Sequence, residues 1–202
     1  MNKKIVLATG NSGKLKEIQT ILKETTLSIQ PQSDFNVPEA IEDGLTFVEN
    51  AIIKARNACK YTNLPAIADD SGIEVDFLKG KPGIHSSRYS DPDATNEKNN
   101  LKLLDALKQV EKQNRTARFQ CVIVYMRHEL DPTPIICQGT WEGYIAESTE
   151  GINGFGYDPL FYIPEHQCTS AQIKPELKNK ISHRGQALEK LLRAITLHQN
   201  MI

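Results

Sequence analysis

The chain has 202 residues, 24 Lys+Arg against 25 Asp+Glu, a formal net charge of −1 and 39% hydrophobic residues. That length suits one domain, residues 1–202, with room for a substantial core, and the balanced charge excludes a global basic field for nucleic acid. No apolar run is long enough to cross a membrane. The four cysteines (Cys59, Cys121, Cys137, Cys168) lie far apart, so reduced core thiols and a cytoplasmic location are expected.

Lys4 to Ala8 reads as a first strand running into Thr9-Gly10-Asn11-Ser12-Gly13-Lys14, behind which Leu15, Ile18, Ile21 and Leu22 repeat at helical spacing. A strand, a glycine-containing loop and a helix start aim backbone N–H groups at an anion, and Lys14 stands where it can add a point charge. A Walker loop would need Gly at position 8 and Ser or Thr at 15, where this chain has Ala8 and Leu15. An ordinary β–α turn therefore stands as an equal alternative.

Residues 24 to 45, with Pro31, Pro38 and Gly44, read mostly as loop, and Glu39, Glu42 and Asp43 form an acidic cluster there. From Phe47, the residues Ala51, Ile52, Ala55, Ala58 and Cys59 mark an amphipathic helix ending near Tyr61, with Lys54 and Arg56 on other, exposed faces. Leu64 to Ala68 then enters Asp69-Asp70-Ser71-Gly72. A short apolar run closed by a turn signal is a buried strand, here with two carboxylates at its end and Gly72 breaking it. Side chains alternate along a strand, so Asp69 and Asp70 face opposite ways, one toward a ligand and one into the scaffold. The alternative is two aspartates in a surface turn.

Gly72 to Asp76 reads as a further strand, Gly80 to Asp93 as a long loop, and Leu101, Leu104 and Leu107 as a helix. A hairpin follows, Ala117 to Arg127 and Pro134 to Tyr144, whose first strand is apolar on both faces for much of its length. Gly151 to Asp158 is glycine-rich around Phe155, which is either a stacking platform for a base or, like Tyr157, a core plug. A strand, Leu160 to Ile163, comes next. Ser182 reads as the N-cap of a last helix carrying Ala187, Leu188, Leu191, Leu192 and Ile195. That leaves His183 and Arg184 in its first turn, where cations oppose the helix dipole.

Six stretches together resemble the inosine-triphosphate pyrophosphatase family, the Ham1-like nucleoside-triphosphate pyrophosphatases, and fit its bacterial branch best. They are I-V-L-A-T-G-N-S-G-K near the start, E-D-G-L-T-F-V-E-N-A-I-I-K-A from Glu42, L-P-A-I-A-D-D-S-G from Leu64, P-G-I-H-S-S-R-Y-S from Pro82, G-F-G-Y-D-P from Gly154 and I-S-H-R-G-Q-A-L from Ile181. The resemblance implies an α/β fold with a long mixed β-sheet and flanking helices forming two lobes around a nucleotide cleft. It implies hydrolysis of ITP, dITP and XTP to the monophosphate and pyrophosphate, with Mg²⁺ as cofactor and a homodimer; the balanced charge and the short apolar runs make neither nucleic acid nor membrane the expected partner.

Carried over by position, Thr9, Gly10, Asn11, Ser12, Gly13 and Lys14 would hold the triphosphate. Asp70 would be general base and metal ligand, with Glu42 as the other metal contact, and Ser71 would touch substrate. Phe155, Gly156, Tyr157, Asp158, Lys178, His183 and Arg184 would hold the base and sugar. Asp43 stands where the family commonly has Thr, and Lys174-Pro175-Glu176-Leu177 departs from its usual acidic run. Donors from His183 and Arg184 aimed at the purine O6 would reject adenine, whose N6 is itself a donor, and such polar readout reaches on the order of 10⁴–10⁵. A regulator that binds nucleotide without cleaving it, or a pyrophosphatase for other modified bases, is the alternative.

Overall fold

The structure is a computed structural model that describes residues 4–23, 25 and 27–199. In chain order the elements are β1 (Lys4–Ala8), α1 (Ser12–Leu22), β2 (Ser28–Pro31), α2 (Phe47–Thr62), β3 (Ala66–Val75), α3 (Asn96–Ala106), β4 (Thr116–Met126), β5 (Ile135–Ile145), β6 (Phe161–Ile163), β7 (Cys168–Thr169), α4 (Pro175–Ile181) and α5 (His183–Gln199). The strands hydrogen-bond in the order β2-β1-β3-β4-β5-β6-β7. β1 runs parallel to β2 and β3, whereas β5, β6 and β7 pair antiparallel, so the sheet is mixed, as expected. Among the described residues no helix is long and apolar enough to cross a membrane.

Two compact units divide the chain. One comprises Met1–Asp70, Cys121–Gly139 and Arg184–Ile202, the other Ser71–Gln120 and Thr140–His183. In the first, the sheet is covered on both faces. Ile5, Leu7, Ile67, Cys121 and Ile123 pack with Ile18 and Leu22 of α1 and with Ala187, Leu188, Leu191 and Ile195 of α5. On the reverse face Val6, Ala8, Ala66, Ala68, Val122 and Val124 pack with Ala51, Ala55 and Ala58 of α2, whose small side chains allow a close approach. Strands buried on both faces read as continuous apolar runs, which is why β1 and the second half of β4 were legible. The four cysteines are free, and burial pushes the Cys59 thiol up to about 11 and the Cys121 thiol up to about 12.

In the second unit one face of the strands is buried. Ile73, Val75, Ala117, Phe119, Trp141, Ile145, Phe161 and Ile163 pack with Leu103 of α3 and with Leu107 just after it. The alternate positions are polar and cross-linked: Arg118 bridges Asp76 and Glu142, and Gln120 bonds Glu74 and Thr140. Alternation in β4 thus holds up to Gln120 and gives way to two-sided burial from Cys121.

Several expectations need correction. Gly72 does not break the strand: β3 is continuous from Ala66 to Val75, and the left-handed glycine comes later, at Gly80 with φ +83°. Asp69 and Asp70 therefore lie mid-strand. β2 lies within the stretch read as loop. It is a four-residue, half-buried edge strand ending in Pro31, too short for a period and tolerant of proline because it lies at an edge. Positions 24 and 26 of that stretch lie outside the described residues. The loop from Gly80 to Asp93 contains a six-residue 3-10 helix, Gly83–Arg88. Of the leucines read as α3, Leu101 is 65% exposed and Leu107, though buried, lies just past the end of that helix, whose own buried leucine is Leu103.

Candidate active site

The first unit's site is built on β3. Asp69 shares its face with Ile67 and points toward α1 and α5, where Lys14 Nζ lies 3.1 Å and Arg184 Nη2 3.3 Å from Asp69 Oδ2. Arg184 Nη1 also holds Glu17 at 2.5 Å, and the guanidinium is buried. Asp69 is 0% exposed. Burial alone would raise its pKa, but Lys14, Arg184 and Lys54 outweigh it and hold the carboxyl well below the usual range.

Asp70 shares its face with Ala66 and Ala68 and points toward α2. Lys54 Nζ lies 2.7 Å from Asp70 Oδ1 and 3.1 Å from Glu42 Oε2. At 7% exposure, burial dominates at Asp70 and raises its pKa despite Lys54 and Lys14. Burial opposes the charge on Lys54, yet Asp70, Asp69 and Glu42 together keep its pKa above the ordinary lysine value. The expectation that Lys54 is exposed is overturned, whereas Arg56 is exposed. The missed signal was helical arithmetic: Lys54 lies four residues from both Asn50 and Ala58, which are buried.

Glu42 reaches this cluster because the loop before α2 folds onto the helix start. Thr46 caps the helix by accepting from Glu49 N, and Glu49 Oε2 accepts in return from Leu45 N and Thr46 Oγ1. Gly44 N donates to Asn50 Oδ1 at 2.9 Å, and a Cβ on Gly44 would come within 2.6 Å of Glu49 Cβ.

Among the described residues no group of three or more His, Cys, Asp or Glu is placed to hold a metal ion. The donor set here is smaller: Glu42 and Asp70 present carboxylate oxygens to one cationic point, which the Lys54 ammonium takes. Mg²⁺ keeps several waters and is held by one or two carboxylates plus substrate phosphates, so these residues fit it.

The glycine loop after β1 behaves as a helix N-terminus. Asn11 caps α1, its Oδ1 accepting from Lys14 N at 3.0 Å, and Thr9 Oγ1 accepts from Asn11 N at 3.2 Å. Ser12 and Gly13 open the helix, so their amides have no intrahelical acceptor. A side chain on Gly10 would press to 3.1 Å of Glu39 Oε1.

The second unit carries the other candidates. Asp158 is buried and acts as an internal clasp: Oδ2 accepts from Phe155 N at 2.8 Å and pairs with Lys178 Nζ at 2.5 Å, and Oδ1 accepts from Ser170 Oγ at 2.9 Å. Gly154 has φ +75°, and any Cβ there would fall 2.0 Å from Asp158 Oδ2. Tyr157 is the core plug, its hydroxyl donating to Ser86 O at 2.8 Å, while Phe155 is half-buried with Lys178 Nζ 5.2 Å from its ring centroid. His183 is buried and stacks on Phe119, centroids 4.7 Å apart at 11°, with Trp141 at 6.4 Å. Ser71 is half-buried. Lys178 lies on α4, which opens with Pro175 at a position where its missing N–H is not needed.

The structure thus brings Lys14, Glu42 and Asp70 together with Lys54, Asp69 and Arg184, joins Phe155, Asp158 and Lys178, and stacks His183 on Phe119. Arg184 is held by two carboxylates, Glu17 and Asp69. Lys54, Glu17, Phe119 and Trp141 were not anticipated.

A Ham1 family model matches residues 5–194. The dITP/XTP pyrophosphatase of Thioalkalivibrio sulfidiphilus is 61% identical over 189 residues, covering 94% of this chain and 96% of that protein. The dITP/XTP pyrophosphatase of Photobacterium profundum is 57% identical, covering 95% and 98%. Among solved structures, a HAM1 protein from Coxiella burnetii superposes with a TM-score of 0.89 at 52% identity, covering 97% of this chain and 99% of that one.

Proposed function

This chain belongs to the Ham1 family, and from that premise we propose that it hydrolyses deaminated purine nucleoside triphosphates (ITP, dITP and XTP) to the nucleoside monophosphate and pyrophosphate. The observation that carries the reading is the convergence of Glu42 and Asp70 on one cationic point beside a helix N-terminus bearing Lys14.

Water attacks the α-phosphorus, the bond from that phosphorus to the α–β bridging oxygen breaks, and pyrophosphate departs with the electron pair. Asp70 accepts the proton of the attacking water, a role its raised pKa suits better than that of an ordinary aspartate. Glu42 and Asp70 would hold Mg²⁺, which when bound supplies positive charge to the phosphate oxygens. Lys54 remains charged beside them. Lys14 and the amides of the Thr9–Lys14 loop, with Gly10, Asn11, Ser12 and Gly13, receive the triphosphate tail.

In the same reading Phe155 stacks on the purine, worth roughly 1–3 kcal/mol whatever the base. Gly156, Tyr157, Asp158 and Lys178 give that loop its shape, and Ser71 touches the substrate. His183, its ring plane set by Phe119, offers the donor to O6. Arg184, paired with Glu17 and Asp69, fixes the start of α5 and with His183 would hold the base end. The family resemblance supports a cytoplasmic homodimer, which sedimentation of the purified chain would test for assembly.

With Mg²⁺ and a panel of ITP, dITP, XTP, ATP and GTP, fast pyrophosphate release is expected from the first three and slow release from the last two. Orthophosphate as first product would overturn the assignment.

A further inference from the structure

We propose that Asn100 is a positioning residue for the purine end of the site, holding the Gly156 carbonyl and thereby setting the pose of Phe155. The inference rests on the reading that the G-F-G-Y-D loop receives the purine.

Two successive asparagines on α3 are buried, Asn99 at 3% and Asn100 at 7% exposure, while the neighbouring Leu101 faces solvent. An amphipathic helix would arrange these the other way round. A local rule broken in this manner marks a demand other than core packing.

Asn99 is explained by structure alone. Its Oδ1 accepts from Ser90 N and Ser90 Oγ, both at 2.8 Å, and its Nδ2 donates to Ser86 O at 3.3 Å and Ser87 O at 3.0 Å. The full capacity of the amide fastens the turn containing Gly83–Arg88 to α3.

Asn100 is different. Its Nδ2 donates to Gly156 O at 3.0 Å, and its buried Oδ1 has no hydrogen-bond partner among the described residues. An unpaired buried acceptor is destabilising, so a leucine would serve packing better. Stability does not account for the amide; its one contact does.

That contact falls where the loop most needs support. Gly154 and Gly156 both have positive φ, at +75° and +62°, and glycine imposes no conformation of its own. Phe155 lies between two held peptides. Its own N–H is taken by Asp158 Oδ2, and the Gly156 carbonyl is taken by Asn100. Removing Asn100 frees the Gly156 carbonyl while leaving the Asp158 side-chain clasp and the Asp158 N–H to Phe155 O bond, at 3.2 Å, in place.

The test is calorimetric titration of inosine monophosphate, which has a purine, and inorganic pyrophosphate, which has none, into wild type, Asn100→Leu and Asn100→Asp. Losing one neutral hydrogen bond is expected to weaken inosine monophosphate about 5- to 10-fold, with pyrophosphate changed by less than about twofold. In steady state the KM for dITP rises by a similar factor while kcat stays near wild type, as for a loss of uniform binding. Should Asn100→Leu fail to fold, Asn100→Asp decides, because it keeps the volume and lacks the donor. Unchanged inosine monophosphate affinity in a folded variant, or equal weakening of pyrophosphate, overturns the inference. Wild type that binds inosine monophosphate but cleaves no purine triphosphate overturns the function alone. Wild type that binds none overturns the positioning role as well.

Discussion

Asp69 and Asp70 are consecutive, chemically identical and both buried, yet the regions on the two faces of β3 give them opposite characters. On the α1/α5 face a carboxylate with no exposure meets two cations, Lys14 and Arg184, and is locked in its charged form. On the α2 face a slightly exposed carboxylate shares a single ammonium with Glu42, and desolvation prevails. The surrounding charge decides the matter: Lys14 and Arg184 in contact, with Lys54 nearby, outweigh burial at Asp69, whereas Lys54, shared with Glu42, and the more distant Lys14 do not at Asp70. The first arrangement suits a scaffold, the second a group that takes up a proton or a metal.

Substitutions can break this contrast. Asp70→Asn is expected to lower pyrophosphate release from dITP by about 10²–10⁴-fold, the range for losing a general base. Its thermal midpoint should fall less than that of Asp69→Asn, since losing a carboxylate strained by burial offsets part of the cost of leaving Lys54 with Glu42 alone; near-normal turnover would remove Asp70 from the chemistry. Asp69→Asn should do the reverse, costing about 3–5 kcal/mol in urea unfolding because Lys14 and Arg184 keep buried charge without their partner. An Asp69→Asn variant of wild-type stability would end its role as scaffold.

The pH dependence of the metal-free chain sharpens the comparison. Asp69 has a depressed pKa, so its stabilisation is present above the ordinary aspartate value of about 4 and fades as pH falls toward its lower native value. Asp70 has a raised pKa, so its ionisation takes stability away as pH climbs from about 4 through its native value. Urea midpoints across that range should show a flattened acid limb in Asp69→Asn, and loss of the decline at higher pH in Asp70→Asn. The smallest effect is expected for Glu17→Gln. It leaves Arg184 on Asp69 with a neutral second partner, costing about 1 kcal/mol in the same unfolding experiment with little change in turnover.

Much of this was legible in one dimension. β1 falls where expected, α2 extends one residue past Tyr61, and the β4–β5 hairpin follows from runs with clear alternation or two-sided apolarity. Alternation alone separated Asp69 from Asp70, although only the family resemblance chose between them. What was hidden depends on contacts the pattern cannot express. Arg184 meets Glu17 across 167 positions of sequence, and nothing local to either residue announces it. Lys54 looked exposed because its charge was weighed above its place on the helix. Gly72 looked like a breaker because glycine in sequence does not reveal the sign of φ. The aromatic bed under His183 comes from β4 and β5, each read for its own core face rather than for a ring it would orient.

The claim most worth testing is that water is delivered to the α-phosphorus. Hydrolysis of dITP in heavy-oxygen water, with both products analysed by mass spectrometry, reads this directly. The account predicts the label in deoxyinosine monophosphate and unlabelled pyrophosphate. Label in the pyrophosphate, or in orthophosphate, would contradict it.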